Sequence, residues 1–157
     1  MEKQLHKLVL IVDDQADDQA VLSYMLGRVG VVNPVFCLQD GHETLRYLNG
    51  EPPYSDRSRF PFPAALFLDL QMPVLSGWQV LDWIRGSGLK GNMRIFVYSH
   101  PSNVGEVQKL YKLGADSFLK KPAEEAELRN LVAHFPTPWI LEVPFSSVAP
   151  GLASTGR

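Results

Sequence analysis

Short apolar runs and helix-period stripes alternate five times along this chain, and few architectures satisfy such an alternation. Residues 8–12 (LVLIV) are a continuous β-rich run, which suits a strand covered on both faces. The spacing Leu22, Met25, Leu26, Val29 predicts a first helix with one buried stripe. Residues 35–38 read as a second strand. Asp40 then caps a helix over DGHETLRYL, with Glu43 placed to reach back as a capping box. A third strand, 64–68, precedes a helix whose inner face carries Gly77, Val80, Leu81 and Ile84. The fourth strand, 94–98, leads to a helix near 103–113 that stops at Gly114, a residue suited to a left-handed C-cap. After the fifth strand, 117–119, Leu128, Leu131, Val132 and Phe135 form the stripe of a last helix over 123–135. Glu124, Glu125 and Glu127 occupy its first turns, where the helix dipole favours acids. Strands alternating with helices of this length predict an α/β fold, a doubly wound parallel sheet with helices on both faces.

Two stretches fall outside that rhythm. Residues 49–63 (NGEPPYSDRSRFPFP) have four prolines and no period, and read as a long surface loop. The tail from Pro136 has four more prolines and no helical stripe, yet contains Trp139, Ile140, Leu141, Val143 and Phe145. Left in water, its larger side chains would forgo about 1.5–3 kcal/mol of burial each, so the tail is expected to pack on this chain or on a second copy, as a homodimer. The division is therefore one domain over 1–135 and a Pro-rich tail, 136–157, with no separate output domain and neither helix-turn-helix pattern nor basic patch for DNA.

With 157 residues, 45% apolar and 20% charged, the chain can bury a sizeable core, and a net charge of −2 gives no reason to expect nucleic acid or an anionic membrane. The start, MEKQLHK, is followed by only five apolar residues, and no run approaches the ~20 that a membrane span needs. Together with a single cysteine, this predicts a cytoplasmic protein. Cys37, between Phe36 and Leu38, reads as a core residue. His6, His42 and His134 show no metal-ligand spacing.

In an open parallel sheet, ligands gather beyond the carboxyl ends of the strands. There the chain places Asp13-Asp14 after the first strand, Asp69 after the third, Ser99-His100 after the fourth and Lys120-Lys121-Pro122 after the fifth. Taken singly, each has a plain alternative as a turn residue, a helix cap or a solvated charge. Those alternatives do not explain why all meet at one rim. Clustered carboxylates repel unless a cation neutralises them, and a hard cation with oxygen ligands is Mg²⁺. A carboxylate beside such a cation and a lysine is equipped to attack phosphorus and form an aspartyl phosphate.

The motifs VDD (12–14), DLQMPVLSGWQVL (69–81), Ser99 and FLKKP (118–122) resemble those of the receiver domain of two-component response regulators, over residues 8–135. Ser99 and Lys121 stand 30 and 52 residues after Asp69, as in receivers without insertions there. The resemblance implies a flavodoxin-like (βα)5 fold with strand order 2-1-3-4-5. It implies a phospho-accepting protein, not a turnover enzyme, served by a sensor histidine kinase and Mg²⁺. Asp69 matches the phosphoacceptor. Asp14 matches the direct metal ligand, Asp13 an acid acting through metal-bound water, and the Gln71 backbone carbonyl a further ligand. Lys121 matches the phosphate-binding lysine, before a cis Pro122; Ser99 matches the switch hydroxyl and Phe118 the switch aromatic.

The chain departs from the family pattern in its long loop 49–63, in its tail, and in His100, where a small residue is usual. The loop and the Trp/Pro tail are similar to those of small standalone receivers that partner phytochrome-type kinases. By position, His100 should flank the path of a water attacking the phosphoryl group. Two rival readings are a degenerate receiver that only binds protein, and a Mg²⁺-dependent phosphatase of the haloacid-dehalogenase type. The phosphatase would need a second Asp where Gln71 stands. A dinucleotide-binding domain would need glycines where DDQADDQ follows the first strand.

Overall fold

The five apolar runs pair side by side into one parallel sheet of order β2-β1-β3-β4-β5. This computed structural model describes residues 7–100 and 104–142. In chain order the elements are β1 (Val9–Val12), α1 (Ala16–Arg28), β2 (Val35–Leu38), α2 (Gly41–Asn49), β3 (Ala65–Leu68) and α3 (Gly77–Ser87). They continue with β4 (Arg94–Ser99), α4 (Val104–Lys112), β5 (Ser117–Lys120) and α5 (Glu125–His134). Register is regular: Val12 lies beside both Leu38 and Leu68, and Leu68 beside Val97.

Because strand side chains alternate, the sheet divides the core into two layers. Leu10, Val12, Leu66, Leu68, Ile95 and Val97 pack with Tyr47 and Leu48 of α2, Val80, Leu81 and Ile84 of α3, and Leu110 of α4. On the other face, Val9, Ile11, Phe67, Phe96 and Tyr98 meet Leu22 and Leu26 of α1 and Leu128, Leu131 and Val132 of α5. The stripes expected of α1, α3 and α5 are those that face the sheet. No helix among the described residues is long and apolar enough to cross a membrane.

Three expectations need correction. Cys37 is exposed, not core. β2 is an edge strand, and while Phe36 and Leu38 face the α2–α3 layer, Val35 and Cys37 lie on the other face beyond its covering helices. Asp40 does cap α2, accepting from Glu43 N at 2.7 Å, but the reciprocal half of the box is absent. The Glu43 carboxylate instead pairs with Arg46 (2.6 Å) and accepts from the Tyr54 hydroxyl (2.5 Å). Tyr54 reaches it because the irregular segment is more than a surface loop. Tyr54 and Phe60 fold back over β2 to make a ring cluster with Phe36 and Tyr47, while Arg57 donates to Leu48 O and Phe60 O.

The tail docks on its own chain, one of the two expected outcomes. Val32 N donates to Ile140 O and Glu142 N to Gly30 O, both at 2.8 Å, and Val31 and Leu141 form an antiparallel bridge. Trp139 stacks on Phe96 with centroids 5.7 Å apart and planes at 16°. Buried Asn33 ties the junction, donating to Lys7 O and Pro138 O and accepting from Ile140 N. Val143 and Phe145, part of the same expectation, lie outside the described residues.

Candidate functional site

The sheet's own hydrogen bonds run one residue past the strands and fix the backbone of the rim. Asp13 N donates to Leu38 O (3.1 Å), Asp69 N to Val12 O (3.0 Å) and Lys121 N to Ser99 O (3.1 Å). Each functional side chain thus starts from a pinned main chain. Behind Asp69 the chain loops through Val74, at φ +70 a conformation costly for a β-branched residue, and returns so that Gly77 N bonds Leu70 O. Ser76 caps α3 in a complete capping box with Gln79. Gly77 permits the closure: a Cβ there would lie 2.1 Å from the Asp69 carbonyl oxygen. The Lys121–Pro122 peptide is cis, as the resemblance implied.

Asp69, 4% exposed, is held on both oxygens. Its Oδ1 accepts from Ser99 Oγ at 2.8 Å and from Gln71 N at 3.2 Å, while Oδ2 lies 3.4 Å from Lys121 Nζ. Lys121 Nζ, itself buried, is 2.6 Å from Asp13 Oδ2 and 2.9 Å from Asp18 Oδ2, and sits over the Tyr98 ring. Asp13 is fully buried; Oδ1 accepts from Gln15 N, and its carbonyl accepts from Gln19 Nε2, which also bonds Leu38 O. Burial pushes the Asp13 carboxyl above its ordinary range, against the opposing effect of Lys121. Burial alone would lower Lys121, but hydrogen bonds to Asp13 and Asp18 outweigh it and hold the ammonium above its ordinary range.

One oxygen each from Asp13, Asp14 and Asp69 lies within 4.8 Å of the others. Three oxygen donors at that spacing, two of them buried, fit a hard divalent cation, although Lys121 already leans on Asp13. The structure therefore brings together Asp13, Asp14, Asp69, Ser99 and Lys121, with the Gln71 main chain alongside. Phe118 is placed apart, half-buried in β5 against the α2–α4 layer, and His100 is exposed just past β4. Asp18 is the site residue that sequence reasoning does not single out. Its signal is present in DDQADDQ, where a second acid pair follows the first within one helical turn.

A parallel sheet of this order with acids at its carboxyl rim is the flavodoxin-like receiver fold. The family model described as "Response regulator receiver domain" matches residues 9–133, so the chain belongs to the response regulator receiver family. The haloacid-dehalogenase alternative is thereby set aside. The response regulator RPA3017 "in red light signaling of R. palustris" is similar at 26% identity and a TM-score of 0.74, covering 87% of this chain and 99% of that one. The "Bacteriophytochrome response regulator RtBRR" is similar at 28% and 0.74, covering 90% and 86%. Hybrid signal transduction histidine kinase L of Dictyostelium discoideum is 31% identical over 130 residues, 81% of this chain; the match spans only 7% of the kinase.

Proposed function

We propose that the chain accepts a phosphoryl group on Asp69 from the phosphohistidine of a sensor histidine kinase. The observation that carries this reading is the convergence on one carboxylate of Ser99 Oγ (2.8 Å), Lys121 Nζ (3.4 Å) and the Asp13–Asp14 pair. An Asp69 oxygen attacks phosphorus, the P–N bond breaks, and its electron pair leaves on the imidazole nitrogen. Lys121 shifts its ammonium to the new phosphoryl oxygens, and Ser99 turns its hydroxyl from Asp69 toward them. Mg²⁺ would be held by Asp14, Asp69 and the Gln71 carbonyl, with Asp13 acting through bound water, and would supply neutralisation of the charge gathered there. Movement of Ser99 and Phe118 then alters the face formed by α4, β5 and α5, to which a protein partner responds. The red-light and bacteriophytochrome regulators among the similar structures support a phytochrome-type kinase as donor.

Acetyl phosphate with Mg²⁺ is expected to add one phosphoryl group to the protein, read by intact mass. Asp69→Asn should remain unmodified, and Asp14→Ala should lose the Mg²⁺-dependent uptake. Undiminished labelling of Asp69→Asn would end this reading. No labelling of the wild type by acetyl phosphate or kinase would favour a receiver that only binds protein.

In the same reading His100, exposed one residue past Ser99, sets how long the phosphoryl group survives by narrowing the in-line approach with its bulk. His100→Ala should speed both phosphoryl loss and uptake from acetyl phosphate. Each factor of ten corresponds to ~1.4 kcal/mol of barrier. His100→Met, similar in bulk, should behave as wild type. An unchanged half-life in His100→Ala would exclude the steric role.

A further inference from the structure

Lys121 has a carboxylate partner that the phosphoryl chemistry does not require. Its closest contact is Asp13 Oδ2 at 2.6 Å, and Asp13 belongs to the cluster that a divalent cation would use. A cation drawing on that carboxylate meets an ammonium that is 4% exposed and cannot simply retreat into water. Two positive charges sharing one buried acid repel strongly. Asp18 lies outside the three-acid cluster, in the first turn of α1, with its carboxylate already 2.9 Å from the ammonium. Its side chain is 37% exposed, so water still reaches part of it.

We infer that Asp18 is a positioning residue for Lys121: it receives the ammonium when a divalent cation occupies the Asp13–Asp14–Asp69 cluster, so that the two cations do not contend for Asp13. This rests on the metal reading above. The ammonium has three donors; its hydrogen bond to Asp18 is formed, and Asp13 and Asp69 lie within 3.4 Å of it. With a cation on Asp13 and a phosphoryl group on Asp69, Asp18 is the one partner that does not change. Lys121 therefore remains in the site through the whole cycle.

The test is Mg²⁺ affinity of the intact, unphosphorylated chain, read by amide chemical shifts or calorimetry, and independent of phosphoryl transfer. Asp18→Asn should bind Mg²⁺ about tenfold more weakly than wild type, and Asp18→Glu should stay within about threefold. Loss of one negative charge near the site would also weaken binding, so the deciding measurement is a double-mutant cycle with Lys121→Met. If Asp18 acts through the lysine, Asp18→Asn has no further effect once Lys121 is gone. Equal weakening in both backgrounds would overturn the inference, as would wild-type affinity in Asp18→Asn. Wild-type protein with no Mg²⁺ binding sensitive to Asp14→Ala would instead remove the metal reading itself, and this inference with it.

Discussion

Gly77→Ala is expected to cost the fold about 3 kcal/mol, the upper range for forcing a methyl group into a packed interior. The added Cβ would stand 2.1 Å from the Asp69 carbonyl oxygen, 2.7 Å from Leu70 Cα and 2.8 Å from the Asp69 carbonyl carbon. All three neighbours are main-chain atoms, so no side chain can swing aside. Either α3 moves off the end of β3 or the backbone of Asp69 is displaced. The second outcome also removes Asp69 from Ser99, and phosphoryl uptake then falls with stability. Gly86, in the same helix, has open space where a Cβ would stand, with nothing within 4 Å. Gly86→Ala should therefore gain a few tenths to about 1 kcal/mol from helix propensity. Chemical denaturation of the two variants checks the contrast; a loss below about 1 kcal/mol for Gly77→Ala would show that the helix start yields easily.

The second large effect is expected in the tail. Trp139→Ala should destabilise the protein by about 3–5 kcal/mol, the usual cost of truncating a buried aromatic. Trp139 is 6% exposed, stacks on Phe96 and lies 6.1 Å from Phe67, both in the centre of the sheet. Its removal opens a cavity beneath β3 and β4 and leaves the Ile140–Glu142 pairing with Gly30–Val32 without its apolar anchor. The indole N–H has no hydrogen-bond partner among the described residues, so Trp139→Phe should lose much less. Equilibrium unfolding showing equal losses for the Phe and Ala variants would contradict this account.

The parts of the molecule legible in the sequence are those governed by local pattern. β2 is readable over the residues it occupies, because four apolar residues between turn signals leave little choice. The inner face of α3 follows from spacing alone. Which strand sits at an edge is a property of the whole sheet, and the strand order comes from family resemblance. That is why Cys37 reads as core and is not: an apolar run looks the same whether one face or two are covered. Glu43 shows a related limit. The capping-box spacing is present, but Tyr54, eleven residues on, competes for the same carboxylate from a segment without any period. At the site, Asp69, Ser99 and Lys121 are legible because each ends a strand. Asp18 is not, because it lies on a helix and its lysine partner is 103 residues away.

The three tryptophans also divide the molecule optically. Trp78 and Trp83 are half-buried along a groove shared with Leu45, Leu75 and Leu113, and Lys109 Nζ stands 5.1 Å from the Trp78 ring centre. Trp139 alone lies enclosed among aromatic rings on the opposite face of the sheet. Its emission therefore belongs at shorter wavelength than that of the other two, and external quenchers should reach it last. With Trp78 and Trp83 replaced by phenylalanine, the remaining fluorescence becomes a single-site gauge of whether the tail is seated, without an attached dye.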